Sequence, residues 1–305
     1  MREPRETVPP LAPRRRRWFA RRNLSALVMA LPLIIFFGLF AWLPIARTVV
    51  MSVQETNFIT TEWVGFENFT RVLADPLLAT AAWNTVQFTL WSILIGFPLP
   101  LLLAVFVAEL RRSRQFASVL AYLPVIVPPV VAVLLWKALY NPSPDGFINS
   151  FLGLFGVPPV GWLNDPNLVI PAIVVQMTWA SFGAATIIYV ATLMTIRTEL
   201  YEAAEVDGAG IMRRVWHITL PQMRGIILIM LLLQLIGMFQ TFTEPYIMTG
   251  GGPVNRSVTV MMLIYRYAFQ YGDYGSATAL SLMLAVVLGI FSVIYLRLTR
   301  NWSSS

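Results

Sequence analysis

The amino-acid sequence contains no cysteine and one histidine among its 305 residues. Without cysteine the chain has no disulfide framework, no thiolate metal site and no cysteine nucleophile, and one histidine excludes catalysis built on several imidazoles. Charged residues are also scarce, because they make up 12% of this chain, whereas a soluble domain carries about 25%. With 57% of its residues hydrophobic, the composition excludes a soluble enzyme, a disordered chain and a coiled coil. It indicates a polytopic membrane protein.

Six uncharged apolar stretches are long enough to cross a membrane. A charge at the bilayer centre costs about 2.5–3.5 kcal/mol, and about 20 apolar residues span the hydrocarbon. The sequence therefore predicts an all-α fold with six transmembrane helices, at 23–46, 84–108, 115–136, 168–194, 225–243 and 274–296. A further uncharged stretch, 146–164, contains four glycines and a Pro-Pro pair. Because broken backbone is not tolerated against lipid, we expect a short amphipathic helix at 147–155, lying at the membrane interface.

The distribution of basic residues predicts the orientation. With six spans, 17 of the 22 basic residues fall on one side and 5 on the other, and Lys137 is the only lysine. The positive-inside rule then places both termini in the cytoplasm. A basic run at 14–22, RRRRWFARR, could also suggest nucleic-acid binding. Its position beside the first apolar stretch favours a topology signal, and no nucleic-acid partner is predicted.

These assignments divide the chain into five regions. They are an Arg-rich cytoplasmic tail at 1–22, the first transmembrane helix at 23–46, an outside loop at 47–82, a transmembrane core at 83–297 and a cytoplasmic C-terminal tail at 298–305. The outside loop is large enough for one or two short helices.

The predicted cytoplasmic loop at 197–224, between spans four and five, has a pattern of its own. Acidic residues cluster early in it and Arg213 and Arg214 come late, an order that suits helix dipoles. Gly208 and Gly210 predict a turn between two short helices. Pro221 is predicted to begin span five, because the first helical turn does not need its missing N–H.

This loop resembles the signature loop of permease subunits of bacterial binding-protein-dependent ABC importers. The pattern E-A-A-x3-G-x9-I-x-L-P is matched at every fixed position, by Glu202, Ala203, Ala204, Gly208, Ile218, Leu220 and Pro221. A second segment, Thr249-Gly250-Gly251-Gly252-Pro253 followed by Tyr265, Phe269, Tyr274 and Ala277, resembles the carbohydrate-uptake branch, and in particular its maltose-type first permease. The chain lacks the two extra N-terminal spans and the large periplasmic insertion of the enteric maltose subunit.

The resemblance implies a type I importer transmembrane domain in the bacterial inner membrane. Its partners would be a second permease subunit, an ATPase dimer, an extracytoplasmic solute-binding protein and a sugar. The chain has no G-x4-G-K-[ST] motif, so it would not be an enzyme. ATP and Mg would be bound by the partner ATPase, and this chain would bind no cofactor or metal.

The resemblance also implies roles in the loop, which would form a coupling helix seated in a groove of the ATPase. Tyr201, Ala203 and Ala204 would pack in that groove, and Glu202 would pair with a basic group of the ATPase. Gly208 would form the sharp turn. The loop ends in the Ile218, Leu220 and Pro221 part of the motif, and Pro221 would transmit motion into span five.

Polar residues inside the spans are candidates for the substrate path, because such residues are costly in a membrane and usually face its interior. The candidates are Gln176, Trp179 and Ser181 in span four, and Gln234 and Thr241 in span five. Gln234 and Thr241 are seven residues apart, which predicts one helix face. An alternative is that these residues hold helices together.

Other functions remain open at this point. One is an ABC permease for another solute, such as a polyol or a glycerol phosphate. Another is an ion-coupled secondary transporter, which would require intramembrane acids. The candidates for that role, Glu109 and Glu244, lie at the ends of spans.

Overall fold

The protein is almost entirely helical in a computed structural model that describes residues 21–56, 59–109 and 122–303. This confirms the predicted all-α membrane fold. The structure divides into two compact units, one ending at Val50 and the other beginning at Met51. Residues 1–20 of the predicted basic tail, part of the predicted third span at 115–121, and residues 304–305 lie outside the described residues.

Five helices among the described residues are long and apolar enough to cross a membrane. They are Leu27–Met51, Pro76–Val107, Val169–Leu193, Ile211–Phe239 and Tyr274–Arg300. Each overlaps a predicted span. The remaining predicted span is represented in the described residues by a shorter apolar helix, Pro129–Leu139.

The first unit is formed by α1 (Arg21–Phe37), a π-helical segment (Gly38–Trp42) and most of α2 (Leu43–Met51). It contains the predicted first span. Most of its large apolar side chains are exposed, and the rings of Phe36 and Phe40 lie 4.6 Å apart. A helix that is hydrophobic all round is stable only in an apolar environment.

The second unit contains the other elements. They are β1 (Gln54–Thr56), β2 (Thr61–Trp63), α3 (Glu67–Ala74), α4 (Pro76–Trp91), α5 (Pro98–Glu109), α6 (Pro129–Leu139), α7 (Phe147–Gly153), α8 (Val169–Leu193), α9 (Thr198–Val206), α10 (Ile211–Arg214), α11 (Leu220–Phe239), α12 (Thr243–Thr249), α13 (Val260–Tyr265) and α14 (Tyr274–Ser303). Three π-helical segments join successive helices, at Ser92–Gly96, Val215–Thr219 and Arg266–Gln270.

The connection between the first two long helices holds more than the predicted helices. α3 is one such helix, but β1 and β2 also form an antiparallel hairpin with Gln54 opposite Trp63. Asn68 of α3 donates from Nδ2 to the Ser52 and Gln54 carbonyls at 3.0 and 2.9 Å. Gly275 of α14 packs against this group, because a Cβ there would lie 2.6 Å from Asn68 Nδ2.

The second long helix begins earlier than its apolar stretch suggests. Asp75 caps α4 by accepting the Leu77 N–H at 2.8 Å, and Pro76 takes the first helical position. Both features start helices efficiently, so the helix begins eight residues before the predicted start at 84. The short helix predicted at 147–155 is confirmed as α7, on which Phe147 and Phe151 are exposed.

Pro221 lies in the first turn of α11, which begins at Leu220, as the sequence predicts. The helical segment does not stop before it, however, because it runs on from Ile211 through the π-helical segment Val215–Thr219 into α11. Another prediction about the fifth span is wrong. Gln234 and Thr241 do not share a helix face, because α11 ends at Phe239 and Thr241 lies in the following connection.

Candidate functional site

Two short helices meet at a sharp turn in the loop at 197–224, as the sequence predicts. α9 ends where the Gly208 N–H donates to the Glu205 carbonyl at 3.0 Å and the Ala209 N–H donates to the Ala204 carbonyl at 2.8 Å. Gly208 has a φ of +71°. This pair of bonds around a left-handed residue is the Schellman motif, in which glycine is strongly favoured.

Side-chain contacts join the two helices of this loop to the long helix that follows. Arg214 Nη1 lies 2.8 Å from Glu205 Oε1, and the Arg214 side chain is only 14% exposed. The hydroxyls of Tyr201 and Thr219 lie 3.0 Å apart. α9 is thereby tied to the segment that enters α11, and the loop is fixed to that helix.

The opposite side of the loop is open. Glu202, Ala203, Gly208 and Pro221 are exposed, whereas Tyr201, Ala204, Ile218 and Leu220 are partly buried. Large apolar side chains are also exposed beside them, and these are Val206, Ile211, Met212 and Trp216. Val206 precedes the candidate span Ile211–Phe239, and the other three lie in its first six residues, beside Arg213 and Arg214. Exposed apolar side chains that are clustered among charged ones are typical of a protein-binding surface.

His217 lies in the same loop, and its Nδ1 is 2.9 Å from the Arg213 carbonyl oxygen. The described residues contain no group of three or more His, Cys, Asp or Glu that could hold a metal ion. The histidine contact lies within a single helical turn.

We expect reversal of the ion-pair charge at Arg214 to loosen this loop. Because Glu205 is largely exposed, Arg214→Glu should destabilise it by about 1 kcal/mol and lower transport several-fold. The double variant Glu205→Arg/Arg214→Glu restores opposite charges and should recover most of the transport. Transport normalised to membrane protein level is the measurement, and failure of the double variant to recover would contradict this role of the pair.

A cavity of about 290 Å³ lies in the second unit between α8, α11 and the π-helical segment Ser92–Gly96. Of the predicted substrate-path residues, Ser181 and Gln234 line it, and Gln176, Trp179 and Thr241 do not. Its polar lining also includes Ser92, Thr178 and Tyr189, and none of the lining residues is charged.

The other predicted residues lie in packed surroundings. Gln176 is 1% exposed, and its Oε1 accepts no hydrogen bond from the described residues. The Trp179 ring lies 5.7 Å from that of Trp136. The Thr241 carbonyl accepts a hydrogen bond from Thr259 Oγ1 at 2.7 Å. These contacts join helices and connections.

Gly96 is a cavity residue that was not predicted from the sequence. Gln234 Nε2 donates to the Ser92 carbonyl at 2.9 Å. A Cβ at Gly96 would lie 3.0 Å from Thr178 Oγ1 and 3.1 Å from Gln234 Nε2. Glycine therefore permits the close approach of three helical segments. The available signal was an isolated glycine inside an apolar span, which usually marks such an approach.

The glycine-rich segment that follows α12 is closely packed. Gly250 and Gly251 have φ of +63° and +97°, and a Cβ at Gly251 would lie 2.6 Å from the Val258 side chain. The Thr249 and Ser257 hydroxyls lie 2.7 Å apart. Asn84 of α4 donates to the Asn255 and Val258 carbonyls at 2.7 and 3.0 Å. The glycine-rich segment is therefore a turn closed by its own neighbours.

A packed helical membrane core with an uncharged cavity, and a loop exposing apolar side chains at one end of a long helix, are features of a membrane transport subunit. The chain belongs to the family described as binding-protein-dependent transport system inner membrane component, which it matches over residues 96–304. This confirms the resemblance found in the sequence.

Similar proteins cover nearly the whole chain. The sulfoquinovosyl glycerol transport system permease protein SmoG of Agrobacterium fabrum is 34% identical over 299 residues, which are 95% of each chain. The trehalose/maltose transport system permease protein MalF of Thermococcus litoralis is 32% identical over 90% of this chain and 92% of its own. A chain in the crystal structure of a bacterial alginate ABC transporter, in complex with an alginate pentasaccharide-bound periplasmic protein, superposes with a TM-score of 0.84. That chain is 27% identical over 93% of this chain and 97% of its own.

Proposed function

We propose that this chain is the permease subunit of an ATP-driven importer and forms half of the path for a sugar or oligosaccharide. The observation that carries the proposal is the uncharged cavity lined by hydroxyls, an amide and apolar side chains. A ligand site of mostly apolar walls with a few fixed polar groups suits a molecule with both hydroxyls and C–H faces. The trehalose and maltose named for one similar permease, both neutral sugars, support the same class of ligand.

The loop at 197–224 supports the proposed coupling to an ATPase dimer. Its Schellman turn and its Glu205–Arg214 ion pair fix a surface on which Glu202 and Ala203 are exposed. ATP and Mg are bound by the ATPase in this proposal, and this chain supplies the surface that the ATPase moves. A second permease subunit completes the path, and an extracytoplasmic binding protein delivers the sugar.

The test of this function is sugar uptake by the assembled importer. Proteoliposomes containing this chain, the second permease and the ATPase should take up at least one of trehalose, maltose and maltotriose when the binding protein is present. Uptake should stop when ATP is omitted or when the ATPase carries an inactive nucleotide site. Uptake that continues without the ATPase and follows an ion gradient would contradict the proposal.

An ion-coupled secondary transporter would need a carboxylate within a membrane span. None of the five candidate spans contains aspartate or glutamate. Glu244 lies beyond α11, in the first turn of α12, where burial raises the pKa of its carboxyl while a backbone hydrogen bond opposes the shift. It does not line the cavity.

We predict that both termini and the loop at 197–224 are cytoplasmic, because this orientation places most basic residues inside. Reporter fusions after residues 60, 160 and 255 should be active on the outside, and fusions after 210 and 303 on the inside. An outside signal at 210 would contradict both the orientation and the ATPase contact.

A further inference from the structure

The serine and threonine hydroxyls of the cavity wall already donate their hydrogens within the protein. Ser92 Oγ donates to the Thr89 carbonyl at 2.8 Å, Thr178 Oγ1 to Val174 at 2.7 Å and Ser181 Oγ to Met177 at 2.8 Å. A hydroxyl has one hydrogen to donate and two lone pairs to accept with. Each of these groups therefore presents a hydrogen-bond acceptor to the cavity unless it gives up its own bond.

The amide of Gln234 is held in a similar way. One N–H of its Nε2 is used by the Ser92 carbonyl at 2.9 Å, and its Oε1 can only accept hydrogen bonds. Gly96 makes this arrangement possible, because a side chain there would press on Nε2 from 3.1 Å. The remaining side-chain donors of the lining are the second Gln234 N–H and the Tyr189 hydroxyl.

An uncharged wall of hydrogen-bond acceptors suits a ligand that carries hydroxyl donors better than it suits an anion. A neutral sugar carries many hydroxyls, and each can donate to Ser92, Thr178, Ser181 or the Gln234 carbonyl oxygen. A carboxylate or sulfonate only accepts, and no lining residue supplies a positive charge. Moving an anion into such a wall leaves its charge without partners, which is costly away from water.

We propose that this cavity selects neutral oligosaccharides and excludes sugars that carry a carboxylate or a sulfonate. The inference rests on the proposed function and specifies its cargo class. The hydroxyls of the α4 to α5 junction and of α8, together with the amide on α11, form the selective wall. The binding protein would not have to carry out this selection alone.

The test compares two trisaccharides that differ only at C6 of each ring, where a carboxylate is replaced by a hydroxymethyl group. The probes are trigalacturonate and its carboxyl-reduced counterpart, galactotriose, which has the same rings and linkages. The importer, assembled with its second permease and ATPase in nanodiscs, is titrated without the binding protein, and dissociation constants are measured by saturation-transfer NMR. Because a hydrogen-bonded anion needs charged or donor partners, galactotriose should bind at least about tenfold more tightly than trigalacturonate.

A lysine placed in the wall should reverse this preference. In Ser181→Lys the affinity for trigalacturonate should rise at least about tenfold, since a charged donor now faces the anion. Met194→Lys is the matched control, because it adds the same charge at the exposed C-terminal end of α8, outside the cavity. It should leave the preference of the original sequence unchanged.

The outcomes separate this inference from the proposed function. Equal or tighter binding of trigalacturonate to the unmodified importer would overturn the selectivity, and so would the absence of binding by either trisaccharide. ATP-dependent uptake of a sugar would survive either result. If galactotriose is preferred but no sugar is taken up under ATP, the selectivity holds and the importer function is wrong.

Discussion

Replacing Gly208 by valine should disconnect transport from ATP hydrolysis while leaving the assembled complex intact. Gly208 has a φ of +71°, and a Cβ there would meet nothing within 4 Å. The effect therefore comes from the backbone alone, since β-branched residues resist positive φ. A strain of about 1–3 kcal/mol is expected, which should lower sugar uptake by about tenfold or more while basal ATP hydrolysis continues.

The neighbouring glycine provides a matched control for this variant. Gly210 has φ −66° and ψ +166°, which valine adopts readily, and it also has no atom within 4 Å of its Cβ position. Gly210→Val should therefore transport normally, and Gly208→Asn should be largely tolerated because asparagine accepts left-handed backbone. Uptake and ATP hydrolysis are measured on the same preparations. Equal defects in the two valine variants would show that the turn geometry is not the cause.

The second large effect is expected at Gly96. Alanine there places a Cβ 3.0 Å from Thr178 Oγ1 and 3.1 Å from Gln234 Nε2, so both side chains must move. Overpacking of this kind costs about 1–3 kcal/mol, and it disturbs the Gln234 to Ser92 hydrogen bond in the cavity. Sugar uptake should fall about tenfold, and Gly96→Leu should abolish it.

Two other helical glycines give the control for Gly96. A Cβ at Gly225 or at Gly289 would meet nothing within 4 Å, so alanine at either position changes only helix propensity. Gly225→Ala and Gly289→Ala should transport at the normal rate. Uptake is divided by the amount of assembled complex recovered. Loss of assembly in Gly96→Ala, with normal uptake per complex, would assign Gly96 to helix packing alone.

The structure of the loop at 197–224 could be predicted from the sequence because its signals are local. Acidic residues at a helix start and glycines at the end of α9 determine structure within a few residues, and the turn at Gly208 was found where they indicate it. The seven motif positions fall on α9, on this turn, on the π-helical segment Val215–Thr219 and on the start of α11.

The cavity was harder to predict because its geometry depends on contacts between distant segments. Thr241 was assigned to a helix face, since the apolar run continues to 243. α11 ends earlier, and the Thr241 carbonyl is instead taken by Thr259, 18 residues away. The π-helical segment Ser92–Gly96 changes which side chains share a face, and apolar periodicity does not reveal such a change.

The unbroken helical segment from Ile211 to Phe239 also determines how a displacement would travel through the subunit. Trp216 and Gln234 are on the same rod, separated by about 27 Å at 1.5 Å per residue. With the loop fixed to this helical segment, a tilt of about 10° around Trp216 would displace Gln234 by about 5 Å. That distance is similar to the width of a sugar ring. A lever of this length would let a small rotation imposed by nucleotide binding open or close the cavity without a relay of side-chain rearrangements.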